Sequence, residues 1–123
     1  MSASKSPGVH RHGSIVDGEV LQIYIDEAAK IDYVPLHSWI IREAHKRNLA
    51  AAYVFRANEG FGISRNIQTT SIVDLSYNLP VLVTVIDTRE QISEFRSFIE
   101  KKIRQGIIIS SRATLQIQNQ PDK

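Results

Sequence analysis

Residues 81–88 (VLVTVIDT) are β-branched along most of their length and unbroken by Gly or Pro, which marks them as a strand. Apolar side chains fall on both of its faces whichever way it is turned. The remaining elements must be arranged around it. Residues 19–26 (EVLQIYID) alternate, with Leu21, Ile23 and Ile25 on one side and Val20, Gln22 and Tyr24 on the other, and predict a first strand. Residues 50–56 predict a second.

Two helices separate these strands. Residues 35–48 place Leu36, Ile40 and Ala44 at helical spacing, with Pro35 suited to the first position and Lys46 and Arg47 to the last turn. After Thr88 a second stripe runs through Ile92, Phe95, Ile99 and Ile103. Thr88 and Gln91 suggest a capping box, and Lys101, Lys102 and Arg104 are expected in the last turn with Gly106 as the left-handed stop. A final strand is drawn from residues 107–118, most clearly 114–118. The order β-α-β-β-α-β is that of an α+β, ferredoxin-like fold: a four-stranded antiparallel sheet with two helices on one face. Right-handed crossovers put the first and third strands in the centre.

A chain of 123 residues is long enough for one core without disulfides or a structural metal. Its domain is expected over residues 15–118, between a flexible N-terminal tail (1–14) and a C-terminal tail (119–123). Cys is absent, which excludes thiolate metal sites, Fe–S clusters and a Cys nucleophile. The net charge of +2 makes no nucleic-acid footprint. No apolar run approaches a membrane span, and the first residues lack the apolar stretch of a signal peptide, so the expected location is cytoplasmic. His10 and His12 flank Arg11 and could hold a metal, but on a flexible arm they read as ordinary tail residues.

With helices on one face, the other should be polar in a monomer. Instead Val20 and Tyr24 point that way, joined by either Tyr53/Phe55 or Ala52/Val54 and by either Leu82/Ile86 or Val81/Val83/Val85. A bare apolar face of this kind predicts self-association. Two strands meant to pair are also separated by residues 57–80, far longer than a hairpin connection. Within it, Glu59-Gly60-Phe61-Gly62 sets two glycines around an aromatic, suited to unusual backbone angles and close approach to a ligand. Arg56, Arg65, Asn66 and Gln68 add donors, and Thr69, Thr70 and Ser71 add hydroxyls. Ile72, Val73 and Leu75 could extend a strand before a turn at Tyr77 and Asn78.

In order along the chain, Gly18-x-x-Leu21-x-Ile23-Tyr24-Ile25-x-Glu27, Lys30, Pro35-Leu36, Arg56-x-x-Glu59-Gly60-Phe61-Gly62, Asp74-Leu75-Ser76-x-x-Leu79-Pro80-Val81 and Val85-x-Asp87 resemble the prokaryotic family known as domain of unknown function 190. That family is similar to the nitrogen-regulatory PII proteins, which are ferredoxin-like homotrimers with nucleotide sites between subunits and a long loop after the second strand. The resemblance implies a signalling or sensor protein that binds an adenine nucleotide or related small anion in such clefts. Gly60, Phe61 and Gly62 match the PII loop motif, with Arg65 a looser counterpart and Arg56, Glu59, Glu27 and Lys30 as further ligand contacts. Glu27 and Lys30 read alternatively as a solvated ion pair, and Asp74 and Ser76 as residues satisfying their own turn. Residues 71–80 replace the glycine-and-lysine phosphate loop of PII chains, so a smaller adenylate such as AMP is implied. Asn48 and Ala51 stand where the family commonly has glycine, and Gln68 where it has His. The implied partner is a membrane transporter or channel.

The alternatives are a small oligomeric enzyme or a metal-tolerance protein on the same fold. No catalytic set can be assembled, and no cofactor other than the adenylate is implied. His37, His45 and Glu43 suggest at most a metal on the first helix, where a surface helix is the simpler reading. The lack of Cys and the single Met weigh against heavy-metal tolerance.

Overall fold

The computed structural model describes residue 13 and residues 15–69 and 78–119. His10, His12, Thr70, Ser71, the strand extension expected at Ile72, Val73 and Leu75, and Asp74, Ser76 and Tyr77 lie outside the described residues. The elements in order are β1 (Ile15–Asp26), β2 (Lys30–Ile31), β3 (Val34–Pro35), α1 (Leu36–Lys46), β4 (Ala51–Arg56), β5 (Glu59–Gly60), β6 (Gln68–Thr69), β7 (Pro80–Thr88), α2 (Arg89–Glu100) and β8 (Ile107–Gln116). The main sheet runs β4-β7-β1-β8, antiparallel throughout, with the two expected strands in the centre.

Leu21, Ile23 and Ile25 of β1 and Val81, Val83 and Val85 of β7 are buried against Leu36, Ile40 and Ala44 of α1 and Ile92, Phe95 and Ile99 of α2. That single parity decides the question that alternation left open. Register pairs Val20 with Ile86, Tyr24 with Leu82 and Phe55 with Leu82, so Tyr53/Phe55 and Leu82/Ile86 stand on the bare face. Ile107 and Ile109 of β8 join them through Tyr24 and Gln22. Tyr24, Tyr53, Phe55, Ile107 and Ile109 are all exposed.

Several ends differ from the sequence reading. Pro35 is the N-cap of α1, with ψ of 130° that keeps it outside the helix. Its other end is an αL stop: Asn48 has φ of 61°, its N–H donates to the His45 carbonyl, and Leu49 N–H reaches back to Ala44. Asparagine tolerates this conformation better than other residues with a Cβ, which suits it to this stop. In α2, Thr88 Oγ1 accepts from Gln91 N as expected, while Thr88's own N–H is taken by Asp87 Oδ1. The helix ends at Glu100, so Lys101, Lys102 and Arg104 follow it rather than filling its last turn. Gly106 is not the stop. It opens β8 with φ of 148°, and a Cβ there would sit 2.7 Å from the Tyr24 carbonyl oxygen. The final strand begins at Ile107, the start of the expected stretch, and ends at Gln116.

Asp87 is 1% exposed, and its carboxylate accepts from Ala50 N at 2.7 Å as well as from Thr88 N. It thereby ties the chain leaving α1 to the end of the central strand. Asp32 and Tyr33 link β2 to β3 with φ of 50° and 68°, the two positive values of a type I′ turn.

Candidate functional site

The described part of the long connection is held by its own backbone hydrogen bonds. Ala57 N donates to the Pro80 carbonyl at 2.9 Å, closing the loop where β4 ends and β7 begins. Farther out, β5 and β6 form a short ladder that pairs Glu59 with Thr69 and Gly60 with Gln68. This ladder keeps Gly60 extended. Neither Gly60 nor Gly62 has positive φ, contrary to the unusual angles expected of them; among the described residues of the loop the left-handed one is Arg65, with φ of 67°. Its N–H donates to the Gly62 carbonyl, and its guanidinium lies 4.6 Å from the centre of the Phe61 ring.

Three segments are latched together at the base of this loop. Glu27 Oε2 accepts from Arg56 Nε at 2.9 Å and also from Nη2. Glu27 N donates to the Leu79 carbonyl at 2.8 Å. Ala28 N donates to Asn78 Oδ1, and Gln68 Nε2 donates to the Asn78 carbonyl. The Arg56 guanidinium holds the Glu27 carboxyl below its ordinary range, and Glu27 in turn raises Arg56. Glu27 is therefore paired with Arg56, 29 residues away, and not with Lys30. Lys30 sits exposed on the β2–β3 hairpin, opposite Pro35. Of the expected site residues, the structure brings Glu27 and Arg56 together, keeps Glu59, Gly60, Phe61, Gly62 and Arg65 on one loop, and leaves Lys30 apart. Asn78 and Leu79 are the members of the latch that sequence reasoning missed. Their contributions are mostly backbone or amide contacts, for which residue type is a poor signal.

Two neighbouring cavities open beneath the loop. The first, about 150 Å³, is an apolar chamber walled by Tyr24, Ile25, Ala29, Phe61, Ile63 and Ile107, with Gly106 at its floor. The second, about 260 Å³, is a polar basin lined by Asn66, Gln68, Thr69 and Asn78. Asp26 and Ser64 line both. Neither wall contains Lys or Arg among the described residues; Arg56 is engaged by Glu27 and Arg65 lies over Phe61. An apolar slot joined to a polar basin suits a ligand with an aromatic body and a hydrogen-bonding flank.

On α1, Glu43 is engaged by Lys46 at 3.0 Å and Arg47 at 3.6 Å. Among the described residues no three His, Cys, Asp or Glu side chains gather as a metal site, and no helix is long and apolar enough to cross a membrane.

The sequence signature of domain of unknown function 190 (DUF190), described as an uncharacterized ACR, matches residues 18–115. The chain belongs to the DUF190 family. Its DUF190 relatives include a UPF0166 protein of Aquifex aeolicus, 32% identical over 88 residues that cover 72% of this chain and 84% of the relative. A second, the UPF0166 protein MJ1524 of Methanocaldococcus jannaschii, is 26% identical over 96 residues, covering 77% and 88%. Among solved structures, this DUF190 chain is similar in fold to CPII from Thiomonas intermedia K12, determined bound to ADP and bicarbonate. The TM-score is 0.54 at 12% identity, over 84% of this chain and 92% of that one. The likeness establishes a PII-like, ferredoxin-like fold.

Proposed function

We propose that this protein is a PII-like sensor that binds an adenine nucleotide of the AMP class in clefts between copies of the chain. Residues 57–80 then report occupancy to a partner. One observation carries this reading: Tyr24 and Ile107 belong both to the bare sheet face and to the wall of the apolar chamber. A second copy seated on that face would complete the chamber, so association and ligand binding become one event. The ADP held by the solved CPII supports a nucleotide on this fold. Phe61 and Gly62 line the chamber and supply the loop side of the site, with Gly60, Arg65, Arg56, Glu59 and Glu27 as further contacts outside the two cavities; Lys30, which the fold leaves apart, joins them only if the ligand reaches beyond the cavities. A homotrimer is the assembly that fits the fold's PII relationship, and a cytoplasmic chain signalling to a membrane transporter or channel fits a module whose loop changes order with its ligand.

Calorimetry against AMP, ADP, ATP and cyclic nucleotides tests this. The expected result is saturable micromolar binding of AMP that is lost in Phe61→Ser, a substitution at an exposed ring that leaves the core intact. Absence of saturable binding by every nucleotide would overturn the proposal.

A further inference from the structure

We infer that the polar basin reads the uncharged, donor-bearing flank of the ligand, the nucleoside, and that phosphate is kept out of it. This deepens the nucleotide reading above and rests on it. Beside the hydroxyls of Ser64 and Thr69 and the amides of Asn66 and Asn78, which can donate as well as accept, the basin has two residues that bring acceptors. Asp26, which lines both cavities, carries a carboxylate with no ion-pair partner among the described residues. Gln68 contributes a buried Oε1 that lacks a hydrogen-bond partner among the described residues. The orientation of that amide is fixed by chemistry. The Asn78 carbonyl can only accept, so Gln68 Nε2 must face it, which leaves Oε1 as the spare acceptor.

A buried acceptor without a donor is costly, and a ligand hydroxyl or amine would satisfy it. A phosphate would do the opposite. It brings further acceptors to Asp26 and Gln68, with no Lys or Arg in either wall to offset the repulsion. The chamber beside the basin is apolar and flanked by Tyr24 and Phe61, which suits a base stacked on rings. The ribose diol or an exocyclic amine then lies against Asp26 and Gln68, and any phosphate extends away from both cavities.

The test uses the full chain, with adenosine and AMP titrated separately into wild type and Asp26→Asn. The two possibilities predict opposite signs. Donor recognition predicts that adenosine binds within about tenfold of AMP, and that Asp26→Asn weakens both by about tenfold, the loss of one charge-assisted hydrogen bond. Phosphate in the basin predicts that Asp26→Asn tightens AMP and that adenosine hardly binds. That result overturns the inference and leaves nucleotide binding standing, whereas failure of both ligands on wild type removes the nucleotide reading itself. A second readout needs no variant: adenosine affinity that ionic strength does not change supports the inference. If only AMP binds, and its affinity falls steeply with salt, the inference is overturned.

Discussion

Replacing Tyr53 and Phe55 together by Ser isolates the contribution of the bare sheet face. The two rings are 53% and 55% exposed and stand 6.3 Å apart on the edge strand, pointing away from the core. An aromatic side chain carries about 150–250 Å² of surface, so each still has about 100 Å² to bury. At about 25 cal/mol per Å², the pair could contribute at most about 5 kcal/mol per subunit on association. Ordering side chains and losing rotational freedom takes much of that, leaving about 2–3 kcal/mol. Such a loss weakens the subunit contact by roughly 30- to 150-fold. Because neither ring belongs to the core cluster, the isolated fold should survive. Sedimentation velocity over a dilution series should find an oligomer for wild type and a shift toward single subunits for the variant at the same concentrations. A wild type that sediments as one subunit throughout, or a variant indistinguishable from it, would refute the reasoning.

Gly106→Ala should lower stability by roughly 2–4 kcal/mol in chemical denaturation, because it combines a backbone angle reserved for glycine with a Cβ 2.7 Å from the Tyr24 oxygen. Asp87→Ala should cost about 2–4 kcal/mol in the same assay, since it strands the Ala50 and Thr88 amides in the interior. Glu27→Gln should cost only about 0.5–1 kcal/mol at neutral pH, because its Arg56 partner is half exposed and screened by solvent. The folded Glu27 carboxyl titrates below its unfolded value, so its contribution is present above about pH 4.3 and is lost as pH falls through the depressed value. The gap between wild type and Glu27→Gln should therefore close in acid, and a gap that persists there would contradict the pairing.

Strict alternation around Leu21, Ile23 and Ile25 and the helical stripes at Leu36, Ile40, Ala44 and Ile92, Phe95, Ile99 made the fold readable from the chain alone, since one buried parity per element is what a single core imposes. The second and third strands were ambiguous because both of their parities are apolar; only the register against β1 and the helices assigns Tyr53 and Phe55 outward. The site was less legible for a different reason. The Glu27–Arg56 pair and the Gln68–Asn78 contact join residues brought together by chain reversal, and no local spacing encodes them. Gly60 looked like a source of positive φ, but it pairs with Gln68 in a ladder, and positive φ is found instead at Arg65. Gly106 was misplaced because a basic stretch before a glycine is also how a helix ends. Here it marks instead a close crossing over Tyr24.

Hydrogen–deuterium exchange with and without AMP tests most directly where the ligand sits. Slowed exchange should fall on residues 60–69 and 105–107, the backbone around the two cavities, and on the bare-face strand segment near Tyr24. Unchanged exchange in those segments at saturating AMP, or protection confined to the outer faces of α1 and α2, would contradict the account.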